Sequence, residues 1–434
     1  MRILMVSEDV PAPAMGGLAK HALTLARALA RAGHQVDFMG SGEFPLSVAG
    51  EEGEFGGRFF GELSGHYAGW KEVSLGMYMP PRRSWMARRF ARLIMRRARD
   101  YDVVHYHGHV PNLARYLPAD LNFVQTRHDQ GSECLLNTRF KDGRVCTESD
   151  PRACGGCRTA SPNAAQRMVS GVAVRIYRRE VAEAFLRHKT VFVSDMLRRN
   201  FARIMGEEDW GVTVHNFIDL PRLRQVQPER PGPSEQDAGG ISIFTAGKLY
   251  PAKGIEDLLR ELAPRMPDGF HLSVAGDGVD LPRLRQQYAG ERISFLGWCS
   301  QQKVLALTAG ADAVVVPSVW EEPCATTILE ALALGRPTFA LARGGTPELA
   351  RYAAPGQLRL FDNMRELVAA LRQFRAGQHY PAAASAAASV DHAVQELLAL
   401  YRQPPGRLAR QAAPPAAPLA PALPATQEHC SPGR

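Results

Sequence analysis

Two carboxylates flank a helix start in Pro317-Ser318-Val319-Trp320-Glu321-Glu322-Pro323-Cys324-Ala325-Thr326-Thr327-Ile328-Leu329-Glu330-Ala331-Leu332. An apolar run ends at Pro317, a loop carries Glu322, and a helical pattern begins near Ala325. Glu322 therefore lies ahead of the helix N-terminus and Glu330 more than a turn into it. The first N–H groups of such a helix, from Ala325 and Thr326 onward, lack intrahelical partners and form the positive end of its dipole. Both features suit a phosphate. Carboxylates on either side can accept hydrogen bonds from sugar hydroxyls. On spacing alone, a solvated acidic loop followed by an ordinary helix accounts for the same residues.

Three further groups of residues could do chemistry. Gly247-Lys248-Leu249-Tyr250-Pro251-Ala252-Lys253-Gly254 puts two cations and a glycine helix start after a strand end, a pattern that fits a phosphate. Isolated from its context, Lys248 with Lys253 is equally a solvated surface pair. Cys134, Cys146, Cys154 and Cys157 fall within one polar segment, Gly131–Ala160, with too little apolar material to fold by itself. A loop that long needs something to pin it. The pair in Cys154-Gly155-Gly156-Cys157 can present two thiolates to one ion, and the upstream cysteines would complete a tetrahedral zinc site of structural type. Four free thiols, or a redox-labile pair, are the alternatives. Finally, Arg82–Arg99 holds eight arginines and no acid. Trp85, Met86, Phe90, Leu93 and Ile94 form an apolar stripe there. The stripe suits either an anionic membrane surface or packing on the first domain. No nucleic-acid recognition motif accompanies the charge, so no nucleic-acid partner is expected.

Short β-rich runs alternating with helical patterns must position these residues. Arg2–Ser7, Gln35–Met39, Val103–Tyr106, Asn122–Thr126, Thr190–Ser194 and Val212–His215 read as strands in the first half, with a helix over Gly17–Ala32. Ile241–Ala246, His271–Ala275, Ile293–Leu296, Ala313–Val316, Thr338–Leu341 and Leu358–Phe361 repeat the alternation in the second. Such series are parallel sheets with crossover helices, whose ligands sit at the carboxyl ends of the strands. The expected class is α/β, two Rossmann-like doubly wound domains facing across a cleft. Residues 1–220 form the first domain with a Cys-rich insert at 131–160. A Pro/Gly-rich linker follows at 221–240, then a second domain at 241–380. A C-terminal helical segment at 381–403 carries a helix over Val390–Arg402 N-capped by Ser389, ahead of a disordered Ala/Pro-rich tail at 404–434.

The glutamates Glu322 and Glu330, spaced by seven residues, resemble the paired-glutamate signature of the retaining glycosyltransferases of family 4, which have the GT-B fold. The resemblance implies that Glu322 contacts the donor sugar and Glu330 holds the ribose hydroxyls. Gly247 through Gly254 is similar to the family's G-R-L-x-x-x-K-G, whose cations grip the donor diphosphate. Lys248 stands where the family usually has Arg, keeping the charge but losing the planar fork. Ala275-Gly276-Asp277-Gly278 resembles the A-G-D-G turn, Phe295-Leu296-Gly297 the strand near the nucleotide base, and Gly344-Gly345-Thr346-Pro347-Glu348 the G-G-x-P-E segment. In the first half, Gly16-Gly17 resembles the glycine pair that lets backbone approach the donor phosphates. Asp102-Val103-Val104-His105-Tyr106-His107 resembles the D-V-V-H-x-H strand, whose second histidine touches the donor sugar, hence His107. Thr126-Arg127-His128-Asp129 is a weaker echo. Isolated histidines such as His21, His34 and His66 read as ordinary polar positions.

These resemblances run from residue 1 to about 402. They imply transfer of a sugar from a UDP- or GDP-linked nucleotide diphosphate donor to a glycan, lipid-linked or small-molecule acceptor, with no cofactor for catalysis. A catalytically silent sugar-nucleotide-binding or partner protein of the same fold is the rival, favoured by Lys248 and Cys324-Ala325. The chain has 434 residues and a net charge of +8. No run approaches the roughly 18 apolar residues of a membrane span. Its N-terminus lacks the longer apolar core of a signal peptide, which predicts a cytoplasmic protein with peripheral association at the inner face of the membrane.

Overall fold

The computed structural model describes residues 1–12, 15–63, 73–74, 77–78, 81–159, 163–206, 210–232, 240–381 and 386–408. Thus most of the expected tail, from residue 409 on, lies outside the described residues, as does 233–239 of the expected linker.

In the first half, β1 (Arg2–Val6), α1 (Gly17–Arg31), β2 (Gln35–Gly40), β3 (Phe59–Gly61), α2 (Pro81–Met95), β4 (Val103–His107), β5 (Phe123–Arg127), α3 (Ala164–Arg187), β6 (Lys189–Phe192), α4 (Asp195–Met205) and β7 (Val212–Thr213) follow in order. They build a seven-stranded sheet, β7-β6-β5-β4-β1-β2-β3, in which every pairing is parallel. The central strands β1, β4 and β5 are buried on both faces, polar residues of β4 and β5 included.

The second half holds β8 (Ile241–Ala246), α5 (Ile255–Leu262), β9 (Phe270–Ala275), β10 (Ile293–Gly297), α6 (Gln301–Gly310), β11 (Ala313–Val316), α7 (Thr326–Ala333), β12 (Thr338–Leu341) and β13 (Leu358–Phe361). Its six-stranded sheet runs β10-β9-β8-β11-β12-β13, again all parallel. This is the two-domain α/β GT-B architecture. The strand order reverses at β8, so the loops after β8 and β11 open a crevice.

The last helix, α8 (Val390–Tyr401), returns to the first sheet. Ser389 caps it by accepting from the His392 N–H at 3.2 Å. Val390, Val394, Leu397 and Tyr401 pack in one core with α1 and β1. The Tyr401 hydroxyl bonds the buried His105 Nδ1 at 2.6 Å.

The arginine-rich segment settles inward. Met86, Phe90 and Ile94 of α2 are buried in the core that also holds Tyr177 and Phe185 of α3. The apolar stripe is therefore spent on the first domain, and of its five residues Trp85 alone is well exposed, at 53%. An exposed apolar face lies instead on α3, where Met168, Val169, Val172 and Ile176 follow helical spacing. Among the described residues, no helix is long and apolar enough to cross a membrane.

Candidate active site

The loop after β11 turns back on itself before α7 begins. Ala325 is the N-cap residue and Thr326 the first helical one; no side chain caps this helix start. Gly344 makes the loop's shape attainable. It sits at φ 60°, and a Cβ there would come within 2.6 Å of the backbone of Glu321 and Glu322. The Gly345 N–H donates to the Glu322 carbonyl at 2.7 Å. Gly276 plays the matching part for the loop after β8, at φ 140°, with a Cβ position 1.8 Å from the Gly247 carbonyl oxygen. Bulkier residues at either point would push a cleft loop out of place.

Glu322 is 6% exposed, so the solvated acidic loop that spacing alone allowed is not what forms. Its carboxylate accepts the Ser318 hydroxyl at 2.7 Å and forms an ion pair with the Lys253 ammonium. Lys253 closes the short turn Pro251–Lys253 before α5, and its ammonium lies 5.0 Å from the centre of the Trp320 ring. Burial opposes both charges, yet each partner outweighs it. The Glu322 carboxyl is held below its ordinary range and the Lys253 ammonium above. The two residues to which the resemblance gives separate contacts with sugar and diphosphate are bonded to each other in the fold.

Between the two sheets lies a cavity of about 570 Å³. Gly17, Lys20 and His21 of α1 line one wall; Gly247, Lys248, Gly276, Thr326 and Glu330 line the other. A Cβ at Gly16 or Gly17 would meet nothing within 4 Å, so the backbone of this helix start faces open space. Lys248 is exposed. Gln301 Nε2 reaches Glu330 at 3.5 Å. Five expected site residues, Glu322, Lys253, His107, Ala325 and Gly16, are not among those lining this cavity. Asn216 sits between the cavity and that loop: its Nδ2 donates to the Cys324 carbonyl at 2.8 Å, and its side chain neighbours His21.

His21 thereby departs from its reading as an ordinary polar residue. Its ring centroid lies 5.3 Å from that of His107 and 4.5 Å from that of His128. His107 Nδ1 and His128 Nε2 are 3.0 Å apart. Burial lowers all three, His21 to about 3, so the imidazoles are neutral near pH 7. Buried His107 Nε2 and His21 Nδ1 have no hydrogen-bond partner. Orphaned polar atoms of this kind suit a hydroxyl-rich ligand.

A neighbouring cluster escaped the sequence reading. His109 Nδ1 meets Asp129 and Nε2 meets Asp9, each at 2.9 Å. Burial opposes a charge on this ring, but the two carboxylates hold it well above its usual range. The available signal was positional, since all three residues follow the carboxyl ends of parallel strands. Asp102, by contrast, precedes β4 and accepts the Arg2 N–H at 2.7 Å, away from the cleft. The four cysteines also come together, around a separate small cavity.

Two family profiles cover most of the chain. Residues 15–222 match the one described as Glycosyltransferase Family 4, and residues 240–376 match Glycosyl transferases group 1. The chain belongs to the group 1 glycosyltransferases. Members of this family use nucleotide sugars, and the chain is such an enzyme. It is 25% identical over 370 residues to an uncharacterized glycosyltransferase of Methanocaldococcus jannaschii, covering 82% of this chain and 84% of that one. Glycogen synthase of Mycobacterium tuberculosis is 27% identical over 371 residues, with 80% of each chain covered. Among solved structures, Anabaena HepE in complex with UDP and glucose superposes with a TM-score of 0.60, at 17% identity over 92% of this chain and 98% of that one. At that identity the likeness speaks for the GT-B fold.

Proposed function

We propose that this group 1 glycosyltransferase transfers a sugar, with retention of anomeric configuration, from a UDP- or GDP-linked donor to a lipid-linked or glycan acceptor at an anionic membrane face. The observation that carries the donor reading is the cavity itself. One wall presents the unfilled helix start at Gly17, and the other presents Lys248 and the uncapped start of α7 at Thr326. Departure of a nucleoside diphosphate builds negative charge on phosphate oxygens, and fixed cations with helix N-termini stabilise it. Trp298, 64% exposed on the cavity wall, offers a face for the base, and Glu330 offers oxygens for the ribose hydroxyls.

The buried pair gives the donor a way to arm the site. An arriving diphosphate competes for the Lys253 ammonium, which frees Glu322 to accept hydrogen bonds from the sugar. In the transfer, the bond from the anomeric carbon to the phosphate oxygen breaks as the acceptor oxygen bonds on the same face. The departing phosphate takes the acceptor's proton. His107 supports the sugar through its unpaired Nε2.

Support for the membrane face comes from α3, whose exposed Met168, Val169, Val172 and Ile176 are interleaved with exposed Arg167, Arg175 and Arg179. A thermal-shift screen against UDP, GDP, ADP and their sugars, followed by donor hydrolysis without acceptor, tests the assignment. Stabilisation by one nucleotide series together with slow hydrolysis is expected. No shift with any nucleotide would sink the donor site, and binding without hydrolysis or transfer would favour the silent binder.

A further inference from the structure

The geometry points to a structural zinc site formed by Cys134, Cys146, Cys154 and Cys157, which pins the 131–160 insert against the donor-binding half. The four residues come from three separate local structures. Cys134 follows the turn Gln130–Ser132, Cys146 follows the hairpin strand Arg144–Val145, and Cys154 with Cys157 lies in and just after the short helix Pro151–Gly156. All four line one cavity of about 20 Å³. That is room for about one water-sized sphere. None is in a disulfide.

An independent observation on the same wall concerns a buried acid. Glu133 is 2% exposed and lines the cavity, and its buried Oε1 has no hydrogen-bond partner. A buried, unpartnered oxygen on the wall that also holds the four cysteines suits a positive charge nearby. Arg178 Nη2 donates to Cys154 Sγ at 3.2 Å, and its Nη1 holds the Ser149 carbonyl at 2.6 Å. Such outer hydrogen bonds orient metal-bound sulfurs and offset their charge.

Among the described residues, the sulfurs stand wider than a closed site, since no three share a 4.8 Å sphere of mutual distance as His21, His107 and His128 do. Zinc with bonds of about 2.3 Å would draw them to about 3.8 Å from one another. The hairpin and the short helix would close inward on the ion. The consequence reaches the active site. Arg139, whose carbonyl accepts the Cys146 N–H at 2.6 Å, places its buried guanidinium 3.7 Å from Glu321, the neighbour of Glu322. Gln130, in the turn before Cys134, reaches the Glu321 carbonyl at 3.4 Å. The ion would hold both arms in place.

The test uses the full chain and does not depend on transfer. Elemental analysis of protein purified without added chelator should find about one zinc per chain. Replacement by cobalt should give the intense visible bands of a tetrahedral site with thiolate-to-cobalt charge transfer in the near ultraviolet. Cys154→Ser with Cys157→Ser should abolish those bands, while His107→Ala should leave them. If the double variant does not fold, the wild-type cobalt spectrum decides alone. Chelation should also speed amide exchange across residues 134–157. Metal-free protein with four freely titrating thiols, a disulfide in that set, or cobalt bound without thiolate charge transfer would each overturn the site. Zinc present in a protein that binds no nucleotide would leave this inference standing and remove the proposed function instead.

Discussion

Lys253 and Glu322, 69 residues apart in the chain, form a largely buried ion pair. Removing one partner leaves the other charged and buried, which costs about 3–5 kcal/mol in comparable pairs. Lys253→Ala should therefore lower the urea midpoint clearly as well as reduce transfer by orders of magnitude. Glu322→Gln keeps the shape and the Ser318 bond, so it should cost less stability while losing comparable activity. Unchanged turnover in either variant would refute the assignment.

Lys248 is the contrasting case, exposed on the cavity wall and outside any ion pair described. Lys248→Ala should leave the unfolding midpoint where it was and raise the KM for donor about tenfold, the loss of one charge-assisted contact. Lys248→Arg should match or exceed the native affinity, because the fork binds phosphate in two places. Titration calorimetry with nucleoside diphosphates reads both effects.

Glu348 links the halves at another point. Its carboxylate accepts the Asp195 and Met196 N–H groups at 2.8 and 2.7 Å, at the start of α4, and meets His215 Nε2 at 3.0 Å. A negative charge on a partly buried helix N-terminus is worth up to about 2 kcal/mol. Glu348→Ala should destabilise by roughly that amount and loosen the contact between the two sheets. Denaturant unfolding should then show a lower midpoint or two separate transitions; an unchanged curve would mean that the contact carries no weight.

Stability should fall in mild acid. Burial holds His21 and His105 down to about 3, from an ordinary value of 6.5. Between those values the unfolded chain binds protons that the fold refuses, so stability declines as pH drops below about 6.5. His109 has the opposite sign: its contribution is present below its unfolded value and fades as pH rises through its raised folded value. Urea midpoints measured from about pH 5 to 9 should fall at the acid end, and His105→Gln should flatten that fall. A flat native profile would contradict the neutral, buried imidazoles.

The face of α3 yields a separable effect. Val172→Glu and Ile176→Glu should abolish co-sedimentation with anionic vesicles while leaving transfer to a water-soluble acceptor unchanged, because both side chains point to solvent. Binding that ignores lipid charge would remove the membrane proposal.

Much of this was legible in one dimension, because its causes are local. Unbroken apolar runs such as Ala313–Val316 become buried parallel strands, Ser389 caps its helix, and the Gly344-Gly345 pair is needed wherever a loop passes so close to Glu321 and Glu322. The glutamate spacing in the loop and helix after β11 is likewise a property of one segment. Contacts across the fold were not legible. Nothing in the pattern of α2 told whether its stripe met lipid or protein; the packing of Met86, Phe90 and Ile94 against α3 decided that. His21 gains meaning only when α1 brings it to His107 and His128, and Lys253 meets Glu322 only because β8 and β11 are neighbours in the sheet. Helix period, caps and turns are written in neighbouring residues. Burial, and with it the charge state of every group in this cleft, depends on which distant segments exclude water together, and that is a property of the tertiary structure.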